Sequence, residues 1–433
     1  MEVGGAQEVI LSVAAWFKRH TAFDVRLVAM AGGPWHERFE AIAPVHVVGR
    51  RHVPDDAVLD LKEQIRVFLG EEPSFVFVNS VASGDFCRIY PYLAATFAYL
   101  HELTTVLNLF PGQFDQILQR ADHIFCGGPA VADTLATIDR VDASKLSMIP
   151  AFIQLDEEPP ALEMFDKQRL RAELGFAPGV KMVVGCGTVN WRKQPDVFVR
   201  MASTIATPSQ FVWIGDGEDL QAMKDLAREL GVSDRVHFVG YKQNFRNYLR
   251  AADVFALTSS EDPFPLVCLE AAVASTPSVI FREAGGMYLL VAPTDGEPAG
   301  VAVPLGDEQA FARAVENLLV RDDVRRGYAD MARARTIKHF SAPVACEKIL
   351  RTVRSVAKLR PKVSVVVPTY NSASFLRRRL DSVYGQSFKD VEILLFDDCS
   401  IDESALILEE YAQNSALSRL SRAAENSGSV FRA

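Results

Sequence analysis

Short apolar runs alternate with amphipathic helical stretches along most of this chain, and few folds accept that alternation. Runs that are apolar on both faces need cover on both sides, which helices packed against parallel strands supply. In the first part the runs fall at residues 25–30, 45–48, 75–78, 95–100 and 123–126, and in the second at 182–185, 211–215, 236–240, 254–257 and 278–281. Between the two sets lies Asp156-Glu157-Glu158-Pro159-Pro160, a polar, proline-containing segment that reads as a hinge. The expectation is an α/β protein with two Rossmann-like domains, residues 1–152 and 153–357, facing across a cleft. A linker and a partial third α/β domain follow at 358–433.

At 433 residues and 49% hydrophobic composition the chain has material for two or three full cores. Its formal charge of -9 gives no general nucleic-acid footprint. The six cysteines (Cys87, Cys126, Cys186, Cys268, Cys346, Cys399) are widely spaced and mostly set in apolar runs, which suits reduced thiols in a cytoplasmic protein. No uninterrupted apolar stretch approaches the length of a membrane span, so any membrane contact is expected to be peripheral, at the inner face.

The chemistry concentrates in Ser259-Ser260-Glu261-Asp262-Pro263-Phe264-Pro265-Leu266-Val267-Cys268-Leu269-Glu270. An apolar strand at 254–257 leads into it, and a helix is expected to begin near Pro265, where proline suits a first turn whose amides lack partners. Those amides and the positive helix end favour an anion. Asp262 at the mouth and Glu270 two turns along can accept hydrogen bonds from sugar hydroxyls. Together these features suit a sugar nucleotide.

The segment resembles the acidic-x7-acidic motif of the family 4 retaining glycosyltransferases. The resemblance implies that Glu270 holds the ribose and Asp262, shorter than the usual glutamate, lies beside the donor sugar, with Phe264, Pro265 and Leu266 in the donor-binding turn. Other stretches resemble the family over about residues 1–355. Gly4-Gly5 looks like its glycine-rich loop, although the strand that precedes this loop in the family is not found before it. His101, beside Glu102, matches a histidine that points at the donor sugar. Lys193 matches the lysine that grips the diphosphate; Thr188 stands at the position of the partner arginine, so Arg192 is expected to supply the second charge. Gly240-Tyr241 falls where the nucleobase pocket is lined. Ala284-Gly285-Gly286 fits a loop beyond the motif, with Leu289 in place of an acid. Membership would imply the GT-B fold, the donor held mainly by the second domain and the acceptor by the first. It would also imply no metal, and retention of configuration by front-face attack.

A different signal follows the basic linker Lys358-Leu359-Arg360-Pro361-Lys362. Residues 363–371 read as an apolar strand broken by proline, and 391–400 as a strand ending in acids. This resembles the opening of a family 2 glycosyltransferase of GT-A fold, which implies nucleotide-binding roles for Pro368, Thr369, Tyr370, Asp397 and Asp398. An intact domain of that kind would need a divalent metal, and no later Asp-x-Asp is present to hold one. With two clear strands, the segment is expected to add no transfer activity and to be loosely ordered unless it docks on the preceding domain.

The expected function is a retaining glycosyltransferase that takes a sugar from a nucleoside-diphosphate sugar to a glycan or lipid-linked acceptor in surface polysaccharide biosynthesis. Its partners would be those two substrates and no nucleic acid. The alternatives are a catalytically inactive nucleotide-sugar-binding fragment, or an epimerase or phosphorylase on the same scaffold.

Overall fold

The computed structural model describes residues 4–155 and 167–426. The expected hinge at 156–160 lies outside the described residues. The chain forms two compact units: Met1–Tyr99 with Phe110–Phe125 and Ala342–Ala433, and Leu100–Leu109 with Cys126–Ser341.

The first unit opens with the helix Gly5–His20, which buries Val9, Leu11, Val13, Trp16 and Phe17. Glu8 in its first turn and Lys18, Arg19 and His20 in its last complement the helix dipole. Strands β1 (Leu27–Ala29) and β2 (Val45–Val47) pair in parallel. Strands β3 (Phe75–Asn79) and β4 (Ala95–Leu100) also pair in parallel, from Phe75 opposite Ala95 to Asn79 opposite Tyr99. With β5 (His123–Cys126) they build an aromatic core. Phe125 stacks on Phe77 at 5.7 Å and on Phe97 at 6.1 Å.

In the second unit, β6 (Leu146–Met148) precedes the Ile149 amide, which donates to the Cys126 carbonyl at 3.0 Å. Six parallel strands follow: β7 (Lys181–Cys186), β8 (Ser209–Ile214), β9 (Val236–Phe238), β10 (Val254–Leu257), β11 (Ser278–Phe281) and β12 (Gly300–Val303). Their order is β12-β11-β10-β7-β8-β9. The helix Pro195–Thr204, with proline in its first turn, and the helix Glu308–Val320 pack into the core around Phe198, Phe211, Trp213 and Phe311. Because β7 has β8 on one side and β10 on the other, the winding direction reverses there. The loops leaving the carboxyl ends of β7 and β10 diverge at that point, which is where open parallel sheets hold ligands.

The C-terminal part of the first unit differs from the two-strand expectation. It is a three-stranded parallel sheet of β13 (Val363–Thr369), β14 (Val391–Asp397) and β15 (Ser418–Arg422). Proline does not break β13. Pro368 stays in register opposite Phe396, tolerated because β13 is an edge strand. The third strand, Ser-Arg-Leu-Ser-Arg, carries too little apolar signal to be read from sequence. The helices Ala373–Tyr384 and Ser404–Asn414 cover one face of this sheet over Leu376, Leu380, Ile393, Leu395, Ile407 and Leu408.

This segment is docked within its unit. The His20 carbonyl accepts from the Lys389 amide at 2.6 Å, and His20 Nδ1 lies 2.5 Å from the Ser387 carbonyl. Arg354, on the helix Ala342–Val356, pairs with Asp390 and donates to the Val391 carbonyl at 2.9 Å. Lys389 Nζ stands 3.7 Å from Glu347, whose carboxyl burial pushes up and the lysine pulls back. The Arg354 and Asp390 side chains are only 11% and 5% exposed, so removing one strands the other's charge. Asp390→Ala should therefore lower stability by about 3 kcal/mol in equilibrium denaturation, against less than about 1 kcal/mol for exposed Asp24→Ala. Equal small losses would show that the junction carries little.

Candidate functional site at the ends of β7 and β10

After β7 the chain turns through Gly187 (φ 148°) and reaches Lys193 in six residues. A Cβ on Gly187 would lie 2.9 Å from Lys193 Cε, so glycine is what lets the lysine stem lie across the turn. After β10, Thr258 Oγ1 donates to the Lys193 carbonyl at 2.8 Å and the Ser260 amide to the Arg192 carbonyl at 2.9 Å. These bonds join the two diverging loops.

The joint brings Lys193 Nζ onto the Asp262 carboxylate, which also accepts from Ser259 Oγ at 3.2 Å. The Asp262 amide donates to the Ala284 carbonyl at 2.7 Å, and a Cβ on Gly285 would stand 1.8 Å from the Asp262 carbonyl oxygen. Nothing larger than glycine fits there. The Ala284-Gly285-Gly286 stretch thus fixes the backbone beneath Asp262.

Pro265 caps the helix Leu266–Val273, in agreement with a start near that proline. Glu270 lies on its second turn with 11% of its side chain exposed, and its Oε1 accepts from Arg246 Nη2 at 3.2 Å. Phe264 turns inward, its ring 5.4 Å from that of Phe340, and so shapes the turn from beneath. Leu266 is half-buried.

Two thiols show how close these charges are. Burial pushes the Cys186 thiol up to about 12, with Lys193 pulling it down and Glu270 pushing it up. Burial raises Cys268 as well, with Asp262 adding to the rise and Lys193 opposing it. Both thiols stay protonated at neutral pH.

Residues 100–109 belong to the same unit. The His101 amide donates to Glu102 Oε2 at 2.8 Å, and a Cβ on Gly127 would meet His101 Nδ1 at 2.6 Å. Burial holds the His101 imidazole down to about 3, so at pH 7 it offers a neutral donor and acceptor and no positive charge. Thr105 Oγ1 donates to Glu261 Oε2 at 2.6 Å. Glu261 Oε1 and Arg192 Nε are buried without a hydrogen-bond partner, and Arg192 Nη2 lies 3.4 Å from the Glu261 carbonyl. Arg192 thus sits at the rim, one residue from Lys193 but turned toward Glu261. Gly240 (φ 72°) accepts from the Gly215 amide at 3.0 Å, and Tyr241 beside it is exposed.

The structure therefore pairs Lys193 with Asp262, sets Arg192 against the Glu261 carbonyl and pairs Glu270 with Arg246. Gly4 and Gly5 belong to the first unit, where Gly4 is the extended N-cap of the helix Gly5–His20. Arg246 was not singled out from sequence, because it occupies an ordinary position in the helix Phe245–Ala251 and matters only through space.

In the C-terminal sheet, Thr369 and Asp397 are buried at the ends of β13 and β14, with Thr369 Oγ1 unpartnered. Asp397 Oδ1 accepts from the Ser400 amide at 3.3 Å, and the Asp398 amide donates to the Thr369 carbonyl at 2.9 Å. Tyr370 is exposed. Asn371 and Ser400 tie the two loops together: the Asn371 amide donates to Ser400 Oγ at 3.0 Å, and Asn371 Oδ1 accepts from the Ile401 amide at 2.9 Å.

Residues 166–335 match the family of glycosyl transferases group 1, and residues 364–430 match glycosyl transferase family 2. Domains of two glycosyltransferase families are thus present in one chain. It is 31% identical over 186 residues to the lipopolysaccharide core biosynthesis glycosyltransferase LpsE of Rhizobium meliloti, covering 43% of this chain and 53% of that one. To the D-inositol 3-phosphate glycosyltransferase of Mycobacteroides abscessus it is 29% identical over 280 residues, covering 62% and 60%. The chain therefore spans about half to three-fifths of the length of these curated relatives. Its fold is similar to that of Anabaena Alr3699/HepE solved with UDP and glucose: TM-score 0.70, 18% identity, 81% of this chain and 96% of that one. The fold is the α/β, parallel-sheet class of the GT-B glycosyltransferases.

A histidine whose folded value is lowered leaves the unfolded chain binding more protons below its usual value of 6.5. Stability from neutral His101 is present above about 6.5 and drains as pH falls toward 3, at up to about 1.4 kcal/mol per pH unit. Urea denaturation at pH 7 and pH 5 should show wild type losing more stability than His101→Asn. An equal loss in both would place the acid sensitivity elsewhere.

Proposed function

We propose that the chain is a retaining, family 4 glycosyltransferase that moves a sugar from a nucleoside-diphosphate sugar to a glycan or lipid-linked acceptor in surface polysaccharide synthesis. The observation that carries this reading is the Lys193–Asp262 pair at the sheet's switch point, beside the helix that bears Glu270. Glu270 accepts the ribose hydroxyls. Lys193 leaves Asp262 for the diphosphate and meets the negative charge that develops as the glycosidic C–O bond breaks with its electron pair going to phosphate. Asp262, released by the same exchange, accepts a donor-sugar hydroxyl, and neutral His101 contacts the sugar from the 100–109 segment. The acceptor oxygen bonds to the anomeric carbon on the face the phosphate leaves, and its proton passes to a phosphate oxygen. Configuration is retained and no protein base is needed.

LpsE, by its name, works in lipopolysaccharide core biosynthesis, which supports a glycan acceptor, and the UDP bound by the Anabaena protein makes UDP-sugars the first donors to test. A cytoplasmic place of action at the inner membrane face suits six cysteines that form no disulfide. Among the described residues no helix is long and apolar enough to cross a membrane.

In the family 2 segment, Pro368, Thr369, Tyr370, Asp397 and Asp398 would line a second nucleotide's base and ribose. Among the described residues no group of three or more His, Cys, Asp or Glu could hold the divalent ion such a domain uses. The donor set does not fit the metal, and no step runs through it.

Glu270→Ala should weaken nucleoside diphosphate binding more than about tenfold in calorimetry, since charge-assisted bonds to the ribose are lost. An unchanged dissociation constant would remove Glu270 from the site. Lys193→Ala should lower turnover on the order of 100-fold while leaving the bare nucleoside's affinity close to wild type. Parallel losses in both would contradict a diphosphate role for the lysine.

A further inference from the structure

Two of the site's acids are each held by a cation. Asp262 takes Lys193, and Glu270 takes Arg246.

Arg246 is built to be the cation of Glu270. Its helix, Phe245–Ala251, lies outside the loops that follow β7 and β10, its side chain is 44% exposed, and its guanidinium stands 5.9 Å from the Phe245 ring. It reaches Glu270 from the solvent side. The carboxylate it meets is nine-tenths buried on a helix whose neighbouring residues Cys268, Leu269, Ala271 and Ala272 are all buried. A carboxylate so enclosed keeps its charge only with a partner, and its three side-chain torsions are costly to order unless something holds them.

We propose that Arg246 is a positioning residue: it holds the Glu270 carboxylate turned toward the two hydroxyls of a ribose. The choice of a ribonucleotide over its dideoxy counterpart then depends on a side chain that itself touches neither ribose nor phosphate. This rests on the reading of Glu270 as the ribose acceptor, and the test separates the two.

The full chain would be titrated calorimetrically with UDP, GDP and ADP and with the 2′,3′-dideoxy form of each, the tightest pair being carried forward to Arg246→Met, Arg246→Lys and Glu270→Gln. Wild type should favour the ribose form by roughly tenfold or more, the size expected for charge-assisted bonds. Arg246→Met should reduce that ratio to about that of Glu270→Gln, by weakening the ribose form and leaving the dideoxy form unchanged. Arg246→Lys, which restores charge without the planar fork, should recover part of it. Melting temperatures taken alongside should fall for Arg246→Met, which strands the buried Glu270 carboxylate, and stay closer to wild type for Arg246→Lys, and affinities are compared below the lowest of them. An Arg246→Met protein that keeps the wild-type ratio overturns the inference and leaves the ribose role of Glu270 standing. Equal weakening of both nucleotides overturns it too, by putting Arg246 on the phosphates. A wild type that binds no nucleoside diphosphate, or does not discriminate, removes the ribose reading itself and the inference with it.

Discussion

The reversal of winding between β7 and β10 is the constraint on which the site depends. Adjacent parallel strands wound in opposite directions send their following loops apart, and the sheet cannot close that gap with its own hydrogen bonds. Here the gap is bridged by side chains and turn backbone: Thr258 to the Lys193 carbonyl, Ser260 to the Arg192 carbonyl, and Lys193 to Asp262. The same bonds that make the two loops one structure put a cation and a carboxylate at the sheet's carboxyl edge. Structure and chemistry share one set of contacts, so under the proposed function a donor that took Lys193 for its diphosphate would also loosen the joint. The backbone hydrogen bonds keep the loops together while it does.

Electrostatics divides the work among the charged groups. Asp262 is paired with Lys193 and Glu270 with Arg246, and burial keeps the Cys186 and Cys268 thiols neutral. Neutral thiols add no charge of their own. His101 is likewise held neutral by burial, and under the proposed function it would face the donor sugar. A hydroxyl needs a donor and an acceptor there, and an imidazolium would offer only donors.

Much of this was written plainly in the sequence. The apolar runs at 95–100, 123–126, 254–257 and 278–281 are strands β4, β5, β10 and β11 to the residue, because buried parallel strands are apolar throughout. The acid pair was legible because seven residues separate its members on one turn and helix. What the sequence hid is whatever depends on distance through space. Lys193 and Asp262 are each conspicuous, but their contact spans 69 positions. Arg246 is one arginine among many until the fold sets it on Glu270. Three strands escaped: β6 is only Leu-Ser-Met, β12 is Gly-Val-Ala-Val, and β15 has one apolar residue in five. The docking of the C-terminal sheet escaped as well. It turns on Arg354, Asp390 and the last turn of the helix Gly5–His20, residues that no motif marks.

That docking gives the first unit a continuous connection from Gly4 at one end of its opening helix to the family 2 segment at the other. The account as a whole still rests on where a nucleotide sits. The most direct measurement is a crystal structure of the chain grown with a bound nucleoside diphosphate. The account predicts the ribose hydroxyls on Glu270, the diphosphate on Lys193, and the Lys193–Asp262 contact opened. A nucleotide bound away from the ends of β7 and β10, or one that leaves Lys193 on Asp262 and Glu270 untouched, would contradict it.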